Sequence, residues 1–143
     1  MSTTIVTIYT DGGCDPNPGR GGWAAILQQD GKTTELSGCD RDSTNNRMEL
    51  TAAIQGLKAL KQPSKVTLYT DSTYVQKGMT EWMPGWLRKN WRGSSGPVLN
   101  VDLWQELLAA TKPHEVTWKW VKGHSANRFN ARADELVHRA RNK

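Results

Sequence analysis

Two aspartates in this 143-residue chain stand at the ends of nearly identical hexapeptides. Val6-Thr7-Ile8-Tyr9-Thr10-Asp11 and Val66-Thr67-Leu68-Tyr69-Thr70-Asp71 differ only by Ile8 against Leu68. Each is a run of β-branched and aromatic residues, which reads as an interior strand delivering a carboxylate at its end. Paired in parallel and in register, the two strands would set Asp11 and Asp71 on one face, a few ångströms apart. Ionised carboxylates that close repel and need protons or a cation. Chance is the competing reading, because Val, Thr, Ile and Tyr are ordinary strand residues.

Glu49, within Thr44-Asn45-Asn46-Arg47-Met48-Glu49-Leu50, is a third acid. At helical spacing it shares a face with Ala52, Ala53, Gly56 and Leu60, and the small residues there would let a helix close on a sheet. It is either a first-turn partner of the helix dipole or a carboxylate aimed into the strands, where burial without a cation is costly. Asp11, Glu49 and Asp71 together make an oxygen-only donor set suited to Mg²⁺ or Mn²⁺ rather than zinc. Asp134, beside Glu135 early in the last helical stretch, is a further candidate at a position where acidic caps are routine.

The elements that must position these acids are legible in outline. After the first hexapeptide, Asp11 to Gly22 is a turn rich in Gly, Pro and Asn; it lacks the Gly-Lys-Ser/Thr ending of a phosphate loop. Gly22–Gln29 and Thr33–Gly38 predict a second and third strand in an antiparallel meander. Thr44 is a candidate N-cap for a helix running to about Leu60, stopped by Pro63-Ser64. The second hexapeptide follows, then a helix from about Ser72 to Met79. Residues 80–99 interleave Trp82, Trp86 and Trp91 with Arg88, Lys89 and Arg92. Val101–Thr111 predicts an amphipathic helix, Glu115–Val121 a strand with Val116, Trp118 and Trp120 as one set, and Asn130 onward a last helix ending in a basic tail. That order implies a mixed sheet with helices packed on it, and the length fits a single domain over 1–143.

Composition narrows the class. Apolar and charged fractions of 36% and 23% are those of a folded protein, not a disordered one. Lys plus Arg outnumber Asp plus Glu by 19 to 14, which is compatible with a polyanionic partner. No apolar run approaches membrane-spanning length, and Met1-Ser2-Thr3-Thr4 enters a strand without a signal-peptide pattern. Cys14 and Cys39 lack metal-ligand spacing and are expected to be reduced thiols in a cytoplasm.

Taken together, Tyr9-Thr10-Asp11-Gly12-Gly13, Thr44 through Leu50, Tyr69-Thr70-Asp71-Ser72, Asn100-Val101-Asp102-Leu103-Trp104, Val121-Lys122-Gly123-His124 and Ala133-Asp134-Glu135-Leu136 resemble, in order and spacing, bacterial type I ribonuclease H. The resemblance spans essentially the whole chain. It implies an α/β ribonuclease H-like fold, a five-stranded mixed sheet of order 3-2-1-4-5 flanked by helices. It implies cleavage of the RNA strand of RNA/DNA hybrids with two Mg²⁺ (or Mn²⁺) ions, leaving 5′-phosphate and 3′-hydroxyl ends. Asp11, Glu49, Asp71 and Asp134 would be the metal-binding carboxylates and His124 the assisting histidine. Asn17, Asn45 and Asn46 would face the hybrid's minor groove, and Thr44 and Asn100 a DNA phosphate. Trp86, with Arg88, Lys89 and Arg92, would belong to a basic handle in which Trp86 packs on a DNA sugar, while Trp82 is expected to be a packing residue. A monomer in the cytoplasm, with no membrane partner, is the accompanying expectation.

The chain departs from the family pattern in three places. Its handle, Arg92-Gly93-Ser94-Ser95-Gly96-Pro97, is poor in lysine; Thr73 stands where a glutamine is common; and Ser125-Ala126-Asn127-Arg128-Phe129 after His124 is unusual. Two alternatives stay open on sequence: a related nuclease that cuts DNA, and a hybrid-binding module without catalysis.

Overall fold

A computed structural model describes residues 4–122 and 127–142. The two hexapeptides lie in β1 (Thr4–Cys14) and β4 (Ser64–Thr70), which pair in parallel with Val6 opposite Val66 and Thr10 opposite Thr70. β2 (Gly19–Gln29) and β3 (Lys32–Ser43) add an antiparallel meander, and β5 (Glu115–Trp120) pairs in parallel beyond β4. The spatial order is β3-β2-β1-β4-β5, the five-stranded mixed sheet expected from sequence. A separate two-residue ladder joins Arg92–Gly93 to Gly96–Pro97.

β1 (Thr4–Cys14) runs on past Thr10, still paired with β2, whereas β4 stops at Thr70. The sheet therefore splits where the two aspartates stand. The meander is longer than predicted: β2 starts at Gly19 and β3 continues to Ser43 instead of Gly38. As an edge strand β3 is exposed along most of its length, so its outer half has no apolar alternation to read.

Helix α1 (Asn45–Lys58) covers one face of the sheet. Thr44 caps it, accepting from Arg47 N at 3.2 Å, as its sequence position predicts. The small-residue face seats it closely: a Cβ on Gly12 would lie 2.5 Å from Met48 C, and one on Gly56 3.1 Å from Ile8 Cγ2. Ile8, Leu50, Ile54, Leu57, Leu68 and Trp104 form the core of this layer. On the other face α5 (Arg128–Arg141) packs Ala133 and Val137 against Tyr9, Ala24 and Ile26, and Phe129 stacks on Tyr9 at 5.0 Å. Cys14 pairs with Gly21 and Cys39 with Gly22, so the two free thiols point to opposite faces.

The helix predicted over about Ser72–Met79 is longer and interrupted. Ser72 caps α2 (Thr73–Lys77), a π turn spans Gly78–Trp82, and α3 (Met83–Arg88) carries the chain into the handle. Pro84 has no N–H to give the α-helical ladder, and the wider turn just before it has Met83 N donating to Gly78 O instead. α4 (Val101–Thr111) seats the fully buried Trp104 against this turn, with Nε1 donating to Tyr74 Oη at 3.1 Å.

A Cβ on Gly78 would lie 2.0 Å from Trp104 Cη2, whereas one on Gly85 meets nothing closer than 3.9 Å. Gly78→Ala is therefore expected to lose roughly 1–3 kcal/mol in urea unfolding. Gly85→Ala should be neutral or gain up to about 1 kcal/mol, because alanine is the better helix former. Equal effects of the two substitutions would refute this account of the π turn.

Candidate active site

Three backbone arrangements converge where β1 and β4 part. Thr10 Oγ1 donates to Tyr69 O at 3.3 Å, and Ser72 N donates to Thr70 Oγ1 at 3.0 Å, fixing both strand ends. Asp71 follows at once, and its carbonyl accepts from Trp120 Nε1 at 3.0 Å. Helix α1, seated on Gly12, delivers Glu49 from above. One carboxylate oxygen from each of Asp11, Glu49 and Asp71 lies within 4.8 Å of the others. Of the two roles open to Glu49 on sequence, the structure selects the carboxylate aimed into the sheet.

Asp134, on α5, stands close enough to this group for its charge to act on Asp11. Burial, then the charge of Asp71, then that of Asp134 push the Asp11 pKa from 3.8 up to about 8, with the Gly12 N–H bond at 2.9 Å pulling the other way. Glu49 is driven well above its ordinary range by burial first and by Asp71 next. Glu49 Oε1 and Asp71 Oδ1 are buried with no hydrogen-bond partner among the described residues. Oxygens left this way, in a set of carboxylates that resist ionising together, fit a hard divalent cation.

The residues around the cluster fall into two groups. Asn17 and Asn45 are joined, with Asn45 N donating to Asn17 Oδ1 at 3.1 Å, and Asn45 Oδ1 accepts from Cys14 N at 2.7 Å. Asn46 is exposed beside them at the start of α1. Thr44 and Asn100 are linked through Arg47, whose Nη1 donates to Asn100 Oδ1 at 3.3 Å. Asp102 fixes Arg47 from below with a bidentate pair at 3.0 and 2.8 Å, an interaction that sequence reading missed because it joins two helices distant in the chain. Further out, Trp86 packs on Trp82, Trp91 and Trp104. Arg88, Lys89 and Arg92 border a hollow of about 500 Å³ with Trp82 and Trp86. Trp82 does pack, edge-on to Tyr74 at 6.0 Å, yet 38% of it stays exposed. His124 lies outside the described residues.

A raised carboxylate pKa has a defined sign for stability. The folded protein keeps a proton on Asp11 that an unfolded aspartate releases near 3.8, so the contribution of Asp11 to metal-free stability is full below about pH 4 and is lost as pH rises towards about 8. Asp11→Asn should flatten that decline and raise metal-free stability at pH 8 by roughly 1–3 kcal/mol. Added Mg²⁺ should raise the wild-type Tm more at pH 8 than at pH 5. Thermal unfolding from pH 4 to 9, with and without Mg²⁺, checks both. A wild-type Tm that climbs over this range without metal would contradict the electrostatic account.

A sequence model of the RNase H family matches residues 3–142. A ribonuclease H of Granulibacter bethesdensis is 59% identical over 140 residues, covering 97% of this chain and 93% of its own. One from Hydrogenovibrio crunogenus is 58% identical over 136 residues, covering 94% of each. Among solved structures, LC9-RNase H1, described as a type 1 RNase H with the type 2 active-site motif, superposes with a TM-score of 0.88 at 29% identity, over 99% of this chain and 74% of its own. LC11-RNase H1, solved in complex with an RNA/DNA hybrid, shares the fold with a TM-score of 0.74 at 23% identity, over 96% of each chain. The sheet order, the carboxylates at its split and these likenesses agree, and the chain belongs to the ribonuclease H family as an enzyme of the bacterial ribonuclease HI kind.

Proposed function

We propose that the enzyme cuts the RNA strand of RNA/DNA hybrids at the Asp11, Glu49, Asp71 and Asp134 cluster, acting as a cytoplasmic monomer with one domain. The observation that carries this reading is the pair of buried, unpartnered oxygens on Glu49 and Asp71 at the split of the sheet. Two Mg²⁺ ions held by the four carboxylates would supply activation of a water and stabilisation of the departing 3′-oxygen, leaving 5′-phosphate and 3′-hydroxyl ends. The chain's own residues do the positioning. Asn17, Asn45 and Asn46 offer amides to the minor groove, where the 2′-hydroxyl distinguishes RNA from DNA. Asn17 and Asn45 are held to each other and to Cys14, so their amides are preorganised. Thr44 and Asn100, tied through Arg47, receive a phosphate of the DNA strand. Trp86 offers a ring to a DNA sugar, and Arg88, Lys89 and Arg92 neutralise phosphates further along. His124 takes the part of proton carrier or product-release group. No helix among the described residues is long and apolar enough to cross a membrane.

The deciding experiment offers labelled RNA/DNA, RNA/RNA and DNA/DNA duplexes with Mg²⁺, Mn²⁺ or EDTA. Only the RNA strand of the hybrid should be cut, only with metal, and Asp71→Asn should lower the rate by at least about 10³-fold. Cleavage of DNA/DNA would favour a related DNA-cutting nuclease. Near-wild-type turnover by Asp71→Asn would remove the two-metal reading.

The handle has its own signature. Replacing Arg88, Lys89 and Arg92 with alanine should weaken hybrid binding and flatten the dependence of log K on log salt. On B-like DNA the slope should fall by up to about 0.9 for each phosphate no longer neutralised. The cleavage rate of bound substrate should change little. Unchanged affinity and slope would make the segment a structural one.

A further inference from the structure

We propose that His138 is a positioning residue for Asp134, held in the required tautomer by Arg141. The inference rests on the reading of Asp134 as a metal-facing carboxylate. Asp134, His138 and Arg141 follow one another at helical spacing on α5 and so lie along one stripe of it. Arg141 Nη2 stands 2.6 Å from His138 Nδ1. A guanidinium has donors only, so Nδ1 accepts and the ring proton sits on Nε2. That nitrogen faces Asp134 Oδ2 at 3.6 Å. Asp134 in turn acts on Asp11. The stripe thus runs from a cation at the helix end, through an imidazole, to the carboxylate beside the cluster.

The base of the stripe is fixed by backbone packing. A Cβ on Gly22 would lie 2.6 Å from Val137 O and 3.0 Å from Arg141 N, so α5 is seated directly on β2 on either side of His138. Glu135, next to Asp134, is occupied by Arg132 and by Arg139, the latter at 3.0 Å, and so does not draw Arg141 away. Asp134 is 38% exposed in its side chain, unlike the buried Glu49, and its carboxylate would otherwise turn freely towards solvent. At 3.6 Å the imidazole N–H is too far for a full hydrogen bond but near enough to favour one orientation of Oδ2 over free rotation. A neutral imidazole does this without placing a full positive charge against the site, as a lysine or arginine at the same position would.

Groups that orient a ligand from outside typically change metal affinity by about 10–100-fold when removed. The long separation here points to the lower end. The test titrates metal-free wild type, His138→Leu, His138→Gln and Arg141→Ala with Mg²⁺ or Mn²⁺ alone in a calorimeter, with Asp134→Asn as control. His138→Leu should weaken binding by about 10-fold, while metal-free Tm and hybrid affinity stay at wild-type values. His138→Gln, which keeps an N–H donor, should recover most of the loss, and Arg141→Ala should fall between. Wild-type metal affinity in His138→Leu, or a loss that tracks a lower Tm and is not recovered by Gln, overturns the inference. If Asp134→Asn itself binds metal as wild type does, the assignment of Asp134 falls and takes His138 with it.

Discussion

Between Asp11 and Asp71 the sheet holds two carboxylates together at the point where its strands separate. Once both are ionised their repulsion would drive β1 and β4 apart were it not for the ladder that precedes them, seven residue pairs from Thr4↔Ser64 to Thr10↔Thr70. Thr10 and Thr70 finish that ladder with side-chain bonds to backbone, and both are almost fully buried. The identical Tyr residues in the two hexapeptides stack face to face at 5.1 Å, adding an aromatic contact across the same pair of strands. Strong pairing immediately behind the acids is what lets the folded chain tolerate them. The repeat in sequence is thus a repeat in structure: both copies anchor, and both end in a carboxylate.

Helix α1 depends on the same junction. Gly12, one residue beyond Asp11, brings the backbone of Met48 and Glu49 down onto β1, since no side chain fits between them. That close approach lowers Glu49 into the cluster and, by the same translation, sets Thr44, Asn45 and Asn46 at the sheet's split. A glycine, a helix cap and a carboxylate are therefore one mechanical unit. Displacing α1 outward by even a methyl group would move the cluster and its proposed substrate-reading amides together.

Much of this was legible because it is periodic or local. The hexapeptides announce a strand pair by near-identity, Glu49 is placed by the small residues at helical spacing below it, and Thr44 is a cap by type and position. What was not legible arises where elements far apart in sequence meet. Nothing in the local pattern tells that Asp102 fixes Arg47 or that Trp120 holds the Asp71 carbonyl. The i, i+4 spacing of Asp134 and His138 was available as a signal, but it carries meaning only once Asp134 is known to face Asp11. The π turn was hidden for another reason: Pro84 signals a break in the helix, whereas the segment instead widens by one residue and continues into the handle.

The distribution of positive charge is the last consequence of the cluster. The chain carries a formal excess of five positive charges, yet none of the ion pairs among the described residues includes Asp11, Glu49 or Asp71. Arg47, a neighbour of Glu49 in sequence, is turned outward and satisfied by Asp102, and Arg132, two residues from Asp134, is satisfied by Glu35 and Glu135. A guanidinium allowed to reach the cluster would neutralise it permanently and displace the cation that the buried oxygens fit. The chain's acids outside the site thus serve to keep its own arginines out of it. Arg88, Lys89 and Arg92 remain exposed along the handle and make no ion pair among the described residues, as the proposed contact with a polyanion requires. Negative charge at the split and positive charge at the handle are consequently kept apart by the folded chain, and a substrate that spans both can satisfy each with a different part of itself.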